Sequence, residues 1–295
     1  TIDDYMIERL NNLYKEKGSW WQTIVDEEQV FILVRKNALH VLIKGARLFK
    51  ITMDKQNLVC ETNKEHWLPE HRNDSKRTNS QYIRIEGEEL MNNYDRIIEN
   101  IQNVHEKDKE RQCCHTISMN IKEIVEREVG LVIEKSETSS RNKPQFVDLQ
   151  AVSSDSKMVF LEVKLLSNIE IIPPEMRPDG NQPKKYVVDQ LEKYEDIIKS
   201  HKQKIIDAYT EQCETYSQLK GAFFKKKLPN PSNISIFPTV RLIITKYDEA
   251  PRREYSLTKI RKRIETRMGW EENTNNLIMI ENPNDINAED IFKGI

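Results

Sequence analysis

Residues 145–166 read QFVDLQAVSSDSKMVFLEVKLL, two apolar strands joined by a polar turn. Side chains along a strand alternate between faces. In the second strand Leu161, Val163 and Leu165 fall on one face, and Met158, Phe160, Glu162, Lys164 and Leu166 on the other. Glu162 and Lys164 therefore share a face with large apolar neighbours on both sides. In the first strand Asp148 shares its face with Phe146 and Val152. Charges set into otherwise apolar strand faces should be paired, or should coordinate something.

These residue types suit a divalent-metal site. Hard cations such as Mg²⁺, with Mn²⁺ able to substitute, take oxygen ligands. Asp148 and Glu162 supply two carboxylates from adjacent strands, and the backbone carbonyl of Val163 could add a third oxygen. Lys164, on the side of Glu162, is placed to orient or deprotonate a water or to neutralise a phosphate. That inventory suits metal-assisted hydrolysis of a phosphodiester.

Outward from the hairpin, residues 117–129 (ISMNIKEIVEREV) set Ile117, Ile121, Ile124/Val125 and Val129 at helical spacing, with Glu123 and Glu126 towards the other sides. Gly130 ends this expected helix, and LVIEKSET (131–138) reads as a strand. After the hairpin comes a Pro-rich loop (168–185), then a long helix over 186–219 whose stripe includes Val187, Leu191, Tyr194 and Ile198. Gln190 and Tyr194 stand at i,i+4 on one side of it. A strand over 234–247, delayed by Pro238, a basic helix (254–268), a strand (276–281) and a terminal helical turn follow. The order is helix, three strands, helix, strand, helix, strand.

Asp148, thirteen residues, then Glu162-Val163-Lys164, in that element order, resembles the PD-(D/E)XK nuclease superfamily. The resemblance implies an α/β fold with a restriction-endonuclease-like core, a mixed sheet flanked by helices. It implies Mg²⁺ ligation by Asp148 and Glu162, and water activation by Lys164. Val147 stands where the motif has Pro, a tolerant position. Family members often carry a helix glutamate that reaches the metal, for which Glu123 is the best match and Glu126 the alternative. Gln190-x3-Tyr194 is similar to the extra motif of the RecB-like and lambda-exonuclease-like branch, which implies contact with the active-site end and the DNA. The resemblance spans residues 116–282.

Charge agrees locally. Between Lys225 and Trp270 there are twelve basic and four acidic residues, although the chain as a whole is net −2. Lys225, Lys226 and Lys227 sit beside Phe223 and Phe224, and Lys259, Arg263 and Arg267 form an i,i+4 row. Such cations could track a phosphate backbone, or could simply solvate a helix face. The expected partner is nucleic acid, DNA in the first instance.

Towards the amino terminus, residues 3–16 read as a short helix capped by Asp3. From Trp20 to about Leu68 the period changes to β, with strands over 30–36, 39–45, 47–54 and 57–63. This is a small, mostly antiparallel β module preceded by a helix, with a polar linker over 69–80. Trp20, Trp21 and Phe31 read as core, with base stacking as the alternative. A further helical stretch runs from 86 to about 111. The expected organisation is a module over 1–80, a helical linker over 81–115 and a nuclease-like domain over 116–295. The module offers a surface for self-association or a protein partner.

The 295 residues are ample for a sizeable core. The four cysteines have no CxxC pair and read as reduced thiols; no apolar run is long enough for a membrane span, and no signal pattern opens the sequence. A cytoplasmic protein without membrane contact is expected. The function expected is a metal-dependent deoxyribonuclease in repair or defence against foreign DNA. The alternative is a catalytically silent nucleic-acid-binding or scaffolding protein that keeps the fold.

Overall fold

The computed structural model describes residues 2–67, 82–105, 107–131, 145–174, 177, 186–221, 223–225, 228, 230–245, 257–271 and 274–295. The chain divides into two compact units, Thr1–His115 with Ala208–Leu228, and Thr116–Asp207 with Pro229–Ile295.

In the first unit, helix α1 (Asp4–Lys15) starts at Asp3, whose carboxylate accepts the Met6 N–H at 2.7 Å. Residues 20–26, expected to open the β region, instead form helix α2 (Trp20–Asp26), because Ser19 Oγ caps the Gln22 N–H. Trp20, Trp21 and Phe31 are buried, as the core reading requires. Strands β1 (Val30–Arg35), β2 (Ala38–Ile43), β3 (Ala46–Asp54) and β4 (Asn57–Asn63) form an antiparallel meander. Its tight turns use left-handed residues at Asn37, Lys44-Gly45 and Lys55. Helix α3 (Lys64–Trp67) follows, and strand β5 (Tyr82–Ile85) completes the sheet on β4. The polar stretch 69–80 lies outside the described residues.

The single helix expected over 86–111 is broken into α4 (Gly87–Asn92) and α5 (Tyr94–His105). Leu90, Ile97 and Ile101 enter the same buried core as Trp21 and Phe49, so this segment packs as part of the unit and does not act as a linker. Residues 208–228 join that core too: Tyr216 donates its hydroxyl to the Ile32 carbonyl at 2.8 Å, and Phe224 is buried.

Helix α6 (Lys109–Asn120) leads into the second unit, where strands β6 (Ile124–Leu131), β7 (Gln145–Val152) and β8 (Lys157–Leu165) form an antiparallel meander. Helices α7 (Val187–Ser200) and α8 (Lys202–Gln218) follow, split near His201 where one helix was expected. Then come β9 (Ser235–Ile236), β10 (Arg241–Thr245), α9 (Leu257–Met268), β11 (Leu277–Ile280) and α10 (Ala288–Phe292). The sheet order is β11-β10-β8-β7-β6, with β10 and β11 parallel to β8 and the short β9 paired to β8. This is an α/β chain with one antiparallel and one mixed sheet. Among the described residues no helix is long and apolar enough to cross a membrane.

The helix expected over 117–129 is corrected: α6 stops at Asn120 and residues 124–131 are strand. The misleading helical spacing comes from a β-bulge. The register of β6 on β7 shifts between Ile124 and Glu126, so Ile124 and Val125 are both buried although adjacent. The strand expected over 131–138 is displaced accordingly, Leu131 being the last residue of β6 and 132–138 lying outside the described residues.

Candidate active site

Asp148, Glu162 and Lys164 come together where β7 and β8 part. Their ladder covers only Leu149–Val152 of β7 against Met158–Leu161 of β8. Beyond it, β7 continues on β6 and β8 continues on β10. Extending the Leu149↔Leu161 register by one step sets Asp148 across from Glu162, on the same sheet face. There the Asp148 carboxylate, and not a β7 carbonyl, accepts the Val163 N–H at 2.8 Å. The carbonyl of Val163 lies on the same edge of the strand as that N–H. Glu162 is 1 % exposed and Asp148 is half-buried.

Lys164, on the Glu162 face, sets Nζ 2.9 Å from Glu162 Oε1 and 3.7 Å from Glu170 Oε2. Glu170 belongs to a single 3₁₀ turn, Ile169–Ile171, capped by Asn168. Its place beside Lys164 was not read from the sequence, because the path of the loop after β8 decides it.

Helix α7 closes over this face. Gln190 donates to Glu162 Oε1 at 2.9 Å and also to the Tyr194 hydroxyl, which donates to the carbonyl of Phe146. One i,i+4 pair thus joins the two diverging strands, Glu162 on β8 and the backbone of β7. Burial, and then the Glu162 carboxylate, push the Tyr194 phenol well above its usual range, so it stays a neutral donor.

The remaining expected residues divide. Glu123 lies in the turn before β6, with its carbonyl accepting the Val152 N–H. That places its backbone at the far end of the ladder, four residues or roughly 13 Å along β7 from Asp148. It is not a helix carboxylate; the one glutamate on α6 is Glu110, in its first turn. Glu126 is a buried strand residue whose Oε1 accepts the Arg127 N–H at 2.8 Å, in register with Gln150. Glu128 was missed; it lies between the pairs Arg127↔Leu149 and Val129↔Val147, hence opposite Asp148, with a left-handed φ of 50°.

Lys259, Arg263 and Arg267 are all exposed on α9, beside a stripe that buries Ile260 and Ile264. Arg267 reaches Asp189 of α7 at 3.5 Å. Lys225 ends a 3₁₀ turn with Phe223 and Phe224, within the first unit. Lys226 and Lys227 lie outside the described residues. The basic residues of 225–270 are therefore shared between units.

Among the described residues no group of three or more His, Cys, Asp and Glu side chains could hold a metal ion. Asp148 and Glu162 fit one more modestly, as two facing carboxylates at a gap that also carries the Val163 carbonyl. Mg²⁺ accepts such a set because it characteristically keeps several waters or substrate oxygens. The chain matches no protein-family model, no curated protein and no solved structure.

Proposed function

We propose that the second unit is a metal-dependent nuclease of the PD-(D/E)XK type, with a restriction-endonuclease-like core, that hydrolyses phosphodiester bonds in DNA. What supports the reading most is the parting of β7 and β8 at Asp148 and Glu162, with Lys164 2.9 Å from Glu162. Asp148, Glu162 and the Val163 carbonyl would hold Mg²⁺. Bound there, the ion would lower the pKa of a water and offset charge developing on the phosphate.

The chain's own residues do the rest. Lys164 orients the attacking water, and its ammonium, once a phosphate draws it from Glu162, offsets charge on that phosphate while the water's proton passes to solvent. Gln190 fixes the Glu162 carboxylate. The exposed row on α9 attracts the phosphate backbone without reading sequence. Mn²⁺ titration of the metal-free protein followed by calorimetry tests the site: wild type should bind, and Asp148→Asn should bind at least tenfold more weakly. Equal binding by both proteins would remove the metal assignment. Metal binding without cleavage of DNA would favour the silent, binding-only alternative.

A further inference from the structure

Phe146 is the most exposed of the large apolar side chains among the described residues, at 53 %. The two others, Tyr5 and Tyr82, carry hydroxyls, and the Tyr82 ring is covered by the Arg47 guanidinium at 4.7 Å. The Phe146 ring packs by one edge on Gly130, and over half of the residue stays in water. Its location is specific, for it stands two residues from Asp148 on the same sheet face, roughly 7 Å along β7.

Its backbone is also held. Phe146 pairs with Gly130 of β6, and its carbonyl accepts the Tyr194 hydroxyl. Through Tyr194 and Gln190 the position of Phe146 is tied to Glu162. The edge of the ring lies over Gly130, where an added Cβ would come within 3.3 Å of it. The backbone that carries the ring is thus held at a fixed register from Asp148.

We propose that Phe146 is a stacking platform for an unpaired base of the strand whose phosphate lies at Asp148, Glu162 and Lys164. This rests on the nuclease reading of those residues and narrows its substrate to single-stranded or locally opened DNA. An aromatic face accepts any base, so it adds affinity without sequence preference. Bases within a duplex are already stacked and cannot use it. The plainer role for the ring, covering the backbone at Gly130, would show in the stability of the sheet and not in affinity for DNA.

That difference gives the test. Binding of a fluorescein-labelled oligothymidylate is measured by anisotropy in EDTA, on the full chain, for wild type, Phe146→Leu and Phe146→Tyr. Phe146→Leu should lose about tenfold in affinity, the scale of one base stack, while Phe146→Tyr stays within about twofold. Affinity for a blunt duplex should not change in either variant. The proposal is overturned if wild type does not bind the single strand, or if Phe146→Leu binds it as wild type does. Cleavage plays no part in this assay, so failure of the nuclease reading shows separately, as wild type that binds DNA but does not cut it with Mg²⁺.

Discussion

At the scale of single residues, the site is a set of side chains each held by another. Gln190 carries more of this than its weak two-residue motif suggests, since its amide serves both Glu162 and Tyr194. Gln190→Ala removes a donor to a carboxylate that is 1 % exposed. The expected cost is about 1–3 kcal/mol of stability, read from urea unfolding, with metal affinity falling as well because Glu162 loses its fixed orientation. Unchanged stability would mean that this hydrogen bond is not formed in solution. Asp148, Glu162 and Lys164 could be picked out in the sequence because each breaks a simple period, and the Gln–Tyr pair because it resembles a known motif in the same order. Glu170 and Glu128 could not. One is brought in by a loop, and the other comes level with Asp148 only through a register set by the bulge in β6.

At the scale of elements, α9 separates packing from charge cleanly. Ile260 and Ile264 are buried while Lys259, Arg263 and Arg267 face solvent. Replacing the three cations by alanine should leave helicity and thermal stability nearly unchanged, because the packed face is untouched. It should lower the slope of log affinity against log salt for single-stranded DNA by roughly 2, the counterions of three phosphate contacts. An unaltered slope would mean that this face is only solvated. The elements themselves were legible where the period was uninterrupted: four strands of the first sheet, both strands of the central hairpin and α9. They were misread where tertiary context intervened. A capping serine turned residues 20–26 into helix, and the β6 bulge imitated helical spacing over 117–129.

At the scale of the whole molecule, the division of the chain is not a simple cut. Residues 208–228 belong to the first unit, and Tyr216, Leu219 and Phe224 are part of its buried core. A fragment of residues 116–295 should therefore expose them and bind a hydrophobic dye strongly, whereas the full chain should not. Weak dye binding by a soluble fragment would show that these side chains find other cover. Histidines make the first unit acid-sensitive. Burial first, and then His105, lowers His66 to about 4, while burial and then Arg47 lower His40 to about 3. His66 Nε2 also lies 3.1 Å from His105 Nε2, a pair that requires at least one neutral ring. The unfolded chain binds protons below about 6.5 and the folded one does not. The stabilisation is thus complete above pH 6.5 and is lost as pH falls towards 4. Urea unfolding followed by tryptophan fluorescence should show a lower midpoint at pH 5 than at pH 7, and His66→Gln should reduce the difference. A midpoint independent of pH would contradict the neutral state of these histidines.

The central claim is that the opening between β7 and β8 is a hydrolytic site. Its most direct test is cleavage of single-stranded DNA under single-turnover conditions with Mg²⁺ or Mn²⁺, comparing wild type with Lys164→Ala and Glu162→Gln. Wild type should cut only with metal, and each variant should lose at least about a hundredfold in rate while Lys164→Ala still binds DNA. Cleavage that persists in both variants, or that proceeds in wild type without metal, would contradict the account.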